Sequence, residues 1–265
     1  MTLINWKEKY GEWALVTGAS SGIGRAFALD LASRGMNIIL VARNRKKLEQ
    51  VAAECESLQR KTYLCSVDLT QPNAVQKLYN LVSEKEVGVL INNAGIVARG
   101  AFWDIDLQCQ LDMVMLHCSI PIGLTHYFLN SMLARNKGAI INISSLSAYF
   151  FQPLITTYAA AKEFEWRFSQ SLAWELKETG IDILTVVPGF TKTEAFDRAN
   201  WEIDYDSLPF FFQPQTPQKV SKKSLDILGK KRSIIVASPI EKFIVNASYL
   251  LPNNIVEFIL AKLFN

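Results

Sequence analysis

The chain has 265 residues, 49% of them hydrophobic and 20% charged, a globular composition that excludes a disordered chain. Its net charge of +3 is small and dispersed, and no basic run exceeds RNRKK at 43–47, so nothing argues for a nucleic-acid partner. A length of this order suits one large domain, which would bury roughly 70–75% of the surface its unfolded chain exposes.

Short β-rich runs alternate with longer helical patterns. WALVTG (13–18) reads as a buried strand, and SGIGRAFALDLASRG (21–35) as a helix closed by Gly35. NIILVAR (37–43) is the next strand and RKKLEQVAAECESL (45–58) the next helix. TYLCSVDLT leads into PNAVQKLYNLVSEK, with Thr70 as N-cap and Pro72 in the first turn. VGVLINNAG (87–95) and GAIINISS (138–145) are apolar strands separated by a long helical stretch. YAAAKEFEWRFSQSLAWELKETG (158–180) is a helix and IDILTVVPG (181–189) a strand. After an aromatic, turn-rich segment come a capped helix (216–231), a last strand (233–238) and a helical tail. Strands that are apolar throughout and separated by helices imply a parallel sheet covered on both faces. The expected fold is therefore α/β, a Rossmann-like doubly wound sheet in a single domain over 1–265.

TGASSGIG (17–24) follows the first strand and opens the first helix. Glycines there let the backbone turn tightly against a pyrophosphate, and the helix start offers free N–H groups. A plain strand–helix turn would need glycine too, but the strand–loop–helix setting favours the dinucleotide reading. Folds that choose NAD usually carry an acid at the end of the second strand for the ribose 2′-OH. Here that strand ends in Ala42 and Arg43. An arginine pairs with a 2′-phosphate, so the expected cofactor is NADP(H). The bland alternative for Arg43 is a solvated charge at a strand end.

From Glu12 to about Thr193 the chain resembles the classical short-chain dehydrogenase/reductase family. The motifs are TGASSGIG, the acid of VDL (Asp68), NNAG at 92–95, Ser145 placed 13 residues before Tyr158, the YxxxK of Tyr158 and Lys162, and PGFTKT at 188–193. The later pattern TPQKVSKKSLDILGKK and the greasy tail look like the branch near hydroxysteroid dehydrogenases and 3-ketoacyl-CoA reductases. The resemblance implies that Gly18, Ser20, Ser21, Gly22, Ile23 and Gly24 cradle the cofactor phosphates. Asp68 and Leu69 would border the adenine, while Asn92, Ala94 and Gly95 would border the ribose and steady the central sheet. Pro188, Gly189, Thr191 and Thr193 would lie at the nicotinamide end. Ser145, Tyr158 and Lys162 would be catalytic. Residues four apart share a helix face, and a cation beside a phenol favours loss of its proton. Tyr158 would then serve as general acid or base, Lys162 would also hold the ribose, and Ser145 would steady the carbonyl oxygen. An amphipathic surface pair is the alternative for Tyr158 and Lys162, and Ser144 and Ser147 are rivals of Ser145. The family usually has an asparagine in the helix before the serine strand, anchoring a proton relay. That place falls on His117, either a modified relay or an ordinary hydrogen-bonded helix residue.

The segment 194–215 is the expected substrate lid. Phe196, Trp201, Ile203, Tyr205, Leu208 and Phe210–Phe212 suit a hydrophobic ketone or alcohol, steroid-like or fatty-acyl, unless they pack on the domain body or on a second subunit. The tail, 239–265, would be a lid partner, a dimer face or a peripheral membrane contact. A homo-oligomer, dimer or tetramer, is expected. No run of 18 apolar residues is uninterrupted, so a spanning helix is not expected. Four cysteines without a CxxC pair, and two histidines, give no metal-type spacing. Free thiols and a charged, Trp-containing start lead to a cytoplasmic expectation. The competing function is a nucleotide-sensing or scaffold protein that kept this fold without its catalysis.

Overall fold

The computed structural model describes residues 5–194 and 214–248. A short helix α1 (Trp6–Tyr10) precedes β1 (Trp13–Thr17), α2 (Gly22–Ser33), β2 (Asn37–Ala42), α3 (Arg45–Ser57) and β3 (Thr62–Ser66). The chain then returns through α4 (Ala74–Leu81) to β4 (Val87–Asn92). Next come α5 (Leu107–Val114), a widened π turn (Met115–Ser119), α6 (Ile120–Arg135) and β5 (Gly138–Ile143). A 3₁₀ turn (Leu146–Tyr149), α7 (Thr156–Glu175), β6 (Ile181–Pro188), α8 (Pro217–Ile227), β7 (Ser233–Val236) and α9 (Pro239–Ser248) complete the described chain.

The seven strands form one sheet in the order β3-β2-β1-β4-β5-β6-β7, every pair parallel. Every residue of β1, β4 and β5 is buried, as a sheet covered on both faces demands. Alternate side chains feed two cores. Ala14 and Val16 pack with Phe27, Leu31, Leu48 and Val220 of α2, α3 and α8. Leu15 packs on the other face with Leu78, Leu124, Phe128 and Leu172 of α4, α6 and α7. The chain leaves β1 in one direction and β4 in the other, so a crevice opens between their carboxyl ends, where sheets of this kind bind ligands.

Three local differences from the expected elements shape that crevice. β4 and β5 stop at Asn92 and Ile143, so Asn93–Gly95 and Ser144–Ser145 are loop residues at the carboxyl edge. Thr70 does not cap α4: its N–H and hydroxyl both donate to Asp68 Oδ1, at 3.0 and 2.8 Å, and the helix starts later, after Asn73. The long helix between β4 and β5 is broken by the π turn. There Ile120 N–H donates to Met115 C=O, five residues back. Pro121 supplies the physical reason: it has no N–H for the His117 carbonyl and its ring crowds that carbonyl, which a wider turn relieves. The aromatic residues of the expected lid, 196–212, and the tail beyond Ser248 lie outside the described residues.

Candidate active site

The glycine loop is tied to the NNAG turn by side chains the sequence reading did not single out. Thr17, the last residue of β1, donates its hydroxyl to Ile91 C=O at 3.0 Å and accepts from the N–H groups of Asn93 and Ala94 at 2.9 and 3.0 Å. Asn93 Nδ2 donates back to Thr17 C=O at 2.9 Å. The turn leaves no room for side chains: a Cβ on Gly24 would lie 2.3 Å from Gly18 C=O. Gly18 and Gly22 hold φ of +65° and +56°, which glycine adopts without strain. α2 starts at Gly22, so its first free N–H groups face out of this turn. Ile23 packs its side chain on the core below. The PGFTKT loop comes alongside, with Thr193 Cγ2 3.3 Å from where a Gly22 Cβ would stand.

Beside the loop lies a cleft of about 310 Å³ lined by Gly18, Ser20, Arg43, Asp68, Leu69 and Gly95, among others. A cavity of that size holds part of a dinucleotide. Arg43 stands exposed at its rim, Nη1 3.9 Å from Asp68 Oδ2, and Lys47 lines the same cleft while pairing with Glu194 at 2.8 Å. The tight glycine turn, the helix start and the basic rim fit a nicotinamide dinucleotide. Gly18, Ser20, Ser21 and Gly22 would hold its phosphates, and Leu69 and Asp68 would flank its base.

Several expected cofactor residues have side chains engaged in the scaffold, Asn92 in the sheet-steadying role also expected of it. Asn92 is turned into the sheet, where its Nδ2 donates to Asn142 Oδ1 at 2.7 Å, and Asn142 in turn donates to Ser169 at 2.7 Å. Thr191 is buried and donates to Gly189 C=O at 2.8 Å. Pro188 closes β6, and Gly189 packs so closely on α9 that a Cβ there would lie 2.7 Å from the Glu241 carboxylate. Glu241 accepts from Phe190 N–H at 2.8 Å, holding this loop to the tail helix.

Ser145, Tyr158 and Lys162 gather where β5 meets α7. Ser145 caps the 3₁₀ turn, its Oγ accepting from Ser147 N–H at 3.2 Å, and it is partly exposed. Its rival Ser144 is buried and donates to Lys162 C=O at 2.7 Å, a bond internal to the scaffold. Tyr158 is partly exposed, and Lys162 Nζ lies 5.6 Å from its ring centroid. Lys162 itself is 5% exposed, donating to Ile143 C=O and to Glu165 Oε2, both at 2.8 Å. Glu165 also meets His117, whose Nδ1 is 3.3 Å from Oε1, while Nε2 is 2.8 Å from Ile96 C=O. The His117 ring stands edge-on to Tyr158, centroids 5.4 Å apart, and occupies the space a Gly95 side chain would need: a Cβ there would lie 2.0 Å from Cε1. Glu165 is the charged residue the sequence reading passed over. Its signal was available, since Tyr158, Lys162, Glu165, Ser169 and Leu172 form one stripe at helical spacing.

A glycine loop and a Ser–Tyr–Lys set at the carboxyl edge of a parallel sheet define a nucleotide-dependent oxidoreductase class. The family model for short chain dehydrogenases matches residues 12–203, and the chain belongs to that family. Among its relatives, the very-long-chain 3-oxoacyl-CoA reductase of Bos taurus is 32% identical over 251 residues, 92% of this chain and 76% of the relative. A solved structure from a study of 7β-hydroxysteroid dehydrogenase stereoselectivity superposes with a TM-score of 0.89 at 26% identity, covering 97% of this chain and all of that one (100%). A short-chain dehydrogenase from Sphingobium yanoikuyae in complex with NADPH superposes with a TM-score of 0.78 at 29% identity, covering 86% and 88% of the two chains.

Proposed function

We propose that the chain is an NADP(H)-dependent reductase of bulky hydrophobic ketones, or a dehydrogenase of the corresponding secondary alcohols, of steroid-like or fatty-acyl type. The observation that carries this is the partly exposed Tyr158, with Lys162 beneath it, at the same sheet edge as the glycine-lined cleft. The bound dihydronicotinamide supplies the hydride. Tyr158 gives its proton to the carbonyl oxygen, Ser145 donates a hydrogen bond to that oxygen, and Lys162 brings positive charge to the place where negative charge develops. The names of the bovine relative and the hydroxysteroid neighbour support the substrate class. A ketone panel assayed for NADPH oxidation tests the reading. Tight NADPH binding without turnover on any ketone would favour the sensor or scaffold alternative.

Arg43 supports the choice of NADP(H), as does the NADPH-bound neighbour. A charge-assisted bond to a phosphate contributes about 1.5–3 kcal/mol. Arg43→Ala is therefore expected to weaken NADPH binding by roughly tenfold or more while leaving NADH nearly unchanged. Equal weakening of both, measured by titration, would remove the 2′-phosphate from Arg43.

The assembly we propose is a homo-oligomer. Trp103, Leu107 and Leu111 are 84%, 68% and 52% exposed, and with Phe102 and Val114 they form an apolar stripe on α5 and the loop before it. Such a stripe is more than scattered surface residues. Light scattering is expected to give at least twice the 29.8 kDa chain mass; a single chain mass would contradict it. No described helix is long and apolar enough to cross a membrane. All four cysteines are free, the state a reducing compartment keeps, and this supports the cytoplasmic reading.

A further inference from the structure

Beneath Tyr158 a buried ammonium, carboxylate and imidazole are joined in a row, and their hydrogen bonds count the protons among them. Lys162 donates to Glu165 Oε2 at 2.8 Å, an ion pair whose members are both below a tenth exposed. On the far side, His117 Nε2 is 2.8 Å from Ile96 C=O. A carbonyl oxygen only accepts, so Nε2 carries a hydrogen. Nδ1 faces Glu165 Oε1 at 3.3 Å. A ring protonated only at Nε2 presents a lone pair there, and an ionised carboxylate presents another. Two buried acceptors facing each other are unfavourable. One further proton removes the conflict, whether it sits on the ring or on the carboxyl.

That proton changes the charge of the whole row. Lys162 contributes +1, and without the shared proton Glu165 cancels it. With the proton, Glu165 and His117 sum to zero and the row keeps one positive charge. Neighbouring groups do not alter the sum. Burial, then Glu165, push the Cys118 thiol up to about 11 against the opposing pull of Lys162, so it is neutral. Asp112 on α5 accepts from Gln108 at 2.9 Å, and Arg99, after Ile96, is exposed, where water and salt screen it.

We propose that His117 and Glu165 share one proton, and that this proton keeps the row under Tyr158 at one net positive charge, which stabilises the negative charge left on the Tyr158 oxygen as its proton moves to substrate. The two are positioning residues that act through charge. The functional part of the inference rests on the reductase reading.

The full-length protein labelled with ¹⁵N at histidine tests the proton directly. The chain has two histidines, and the other, His126, is exposed, so His126→Gln assigns the spectrum. His117 is expected to show a proton on Nε2, with Nδ1 either protonated as well or accepting a hydrogen bond. A proton on Nδ1 alone, or a proton on Nε2 with an Nδ1 lone pair that accepts no hydrogen bond, would overturn the proposal. The kinetic test is a cycle. His117→Gln removes the shared proton and lets Glu165 cancel Lys162, so kcat is expected to fall about tenfold or more with KM little changed. Adding Glu165→Gln removes the cancelling charge and is expected to recover most of that loss. A double variant that unfolds at the wild-type urea midpoint and is still as slow as the single one would show that the pair serves only the fold. If wild type turns over no ketone, the reductase reading fails while the spectrum still decides the proton count.

Discussion

Tyr158→Phe is expected to lower kcat by about 100-fold or more with NADPH and a bulky ketone, the usual scale for losing a general acid. The substitution deletes one oxygen and keeps the ring. The ring meets the edge-on His117 ring at 5.4 Å and the Lys162 ammonium at 5.6 Å, and among the described residues no hydrogen bond of the fold runs through the hydroxyl. Folding stability should therefore stay close to wild type, and cofactor binding should change little. That pattern, lost turnover with intact binding and folding, separates a chemical role from a packing role. Wild-type rates in the variant would remove Tyr158 from the mechanism and leave a nucleotide-binding scaffold as the better description.

Lys162→Met is expected to cost both activity and stability. The ammonium is 5% exposed and holds Glu165 and the last carbonyl of β5 at 2.8 Å each. Removing the ammonium leaves Glu165 Oε2 and Ile143 C=O buried without their donor, with only the 3.3 Å contact to His117 left to offset the carboxylate, a loss of about 1–3 kcal/mol for each unsatisfied group. Urea unfolding should show a lower midpoint with an unchanged slope. Lys162→Met combined with Glu165→Leu should recover much of the stability, since no unpaired charge remains, but none of the activity. A Lys162→Met protein as stable as wild type would mean that the pair is open to water and contributes little.

The strands and the glycine loop were legible because burial on both faces writes itself as uninterrupted apolar runs, and because tight turns demand glycine. Tyr158 and Lys162 stood out through the family resemblance, where YxxxK accompanies the glycine loop and Ser145; their spacing alone fits a surface pair equally well. The directions of side chains were less so. Asn92 and Asn93 are adjacent and chemically identical, yet Asn92 faces the sheet interior and Asn93 ties the loop to Thr17. A one-residue step along a strand end reverses the facing direction, and the strand's end point decides which residue is free. Glu165 was missed because a glutamate on a helix ordinarily faces water; only its place on the stripe below Lys162 makes it buried. His117 was noticed as a departure, but its partner lies 48 residues away, and no spacing within one helix reveals it. Pro121 was the available sign of the π turn, since proline inside a helical pattern disturbs the carbonyl four residues earlier.

The most direct test follows the hydrogen itself. NADPH carrying deuterium at the reactive nicotinamide carbon would be incubated with the protein and a bulky hydrophobic ketone, and the alcohol examined by mass spectrometry. Deuterium on the new carbinol carbon, formed by wild type and nearly absent with Tyr158→Phe, is the predicted result. Bound NADPH that passes no label to any ketone would contradict the account.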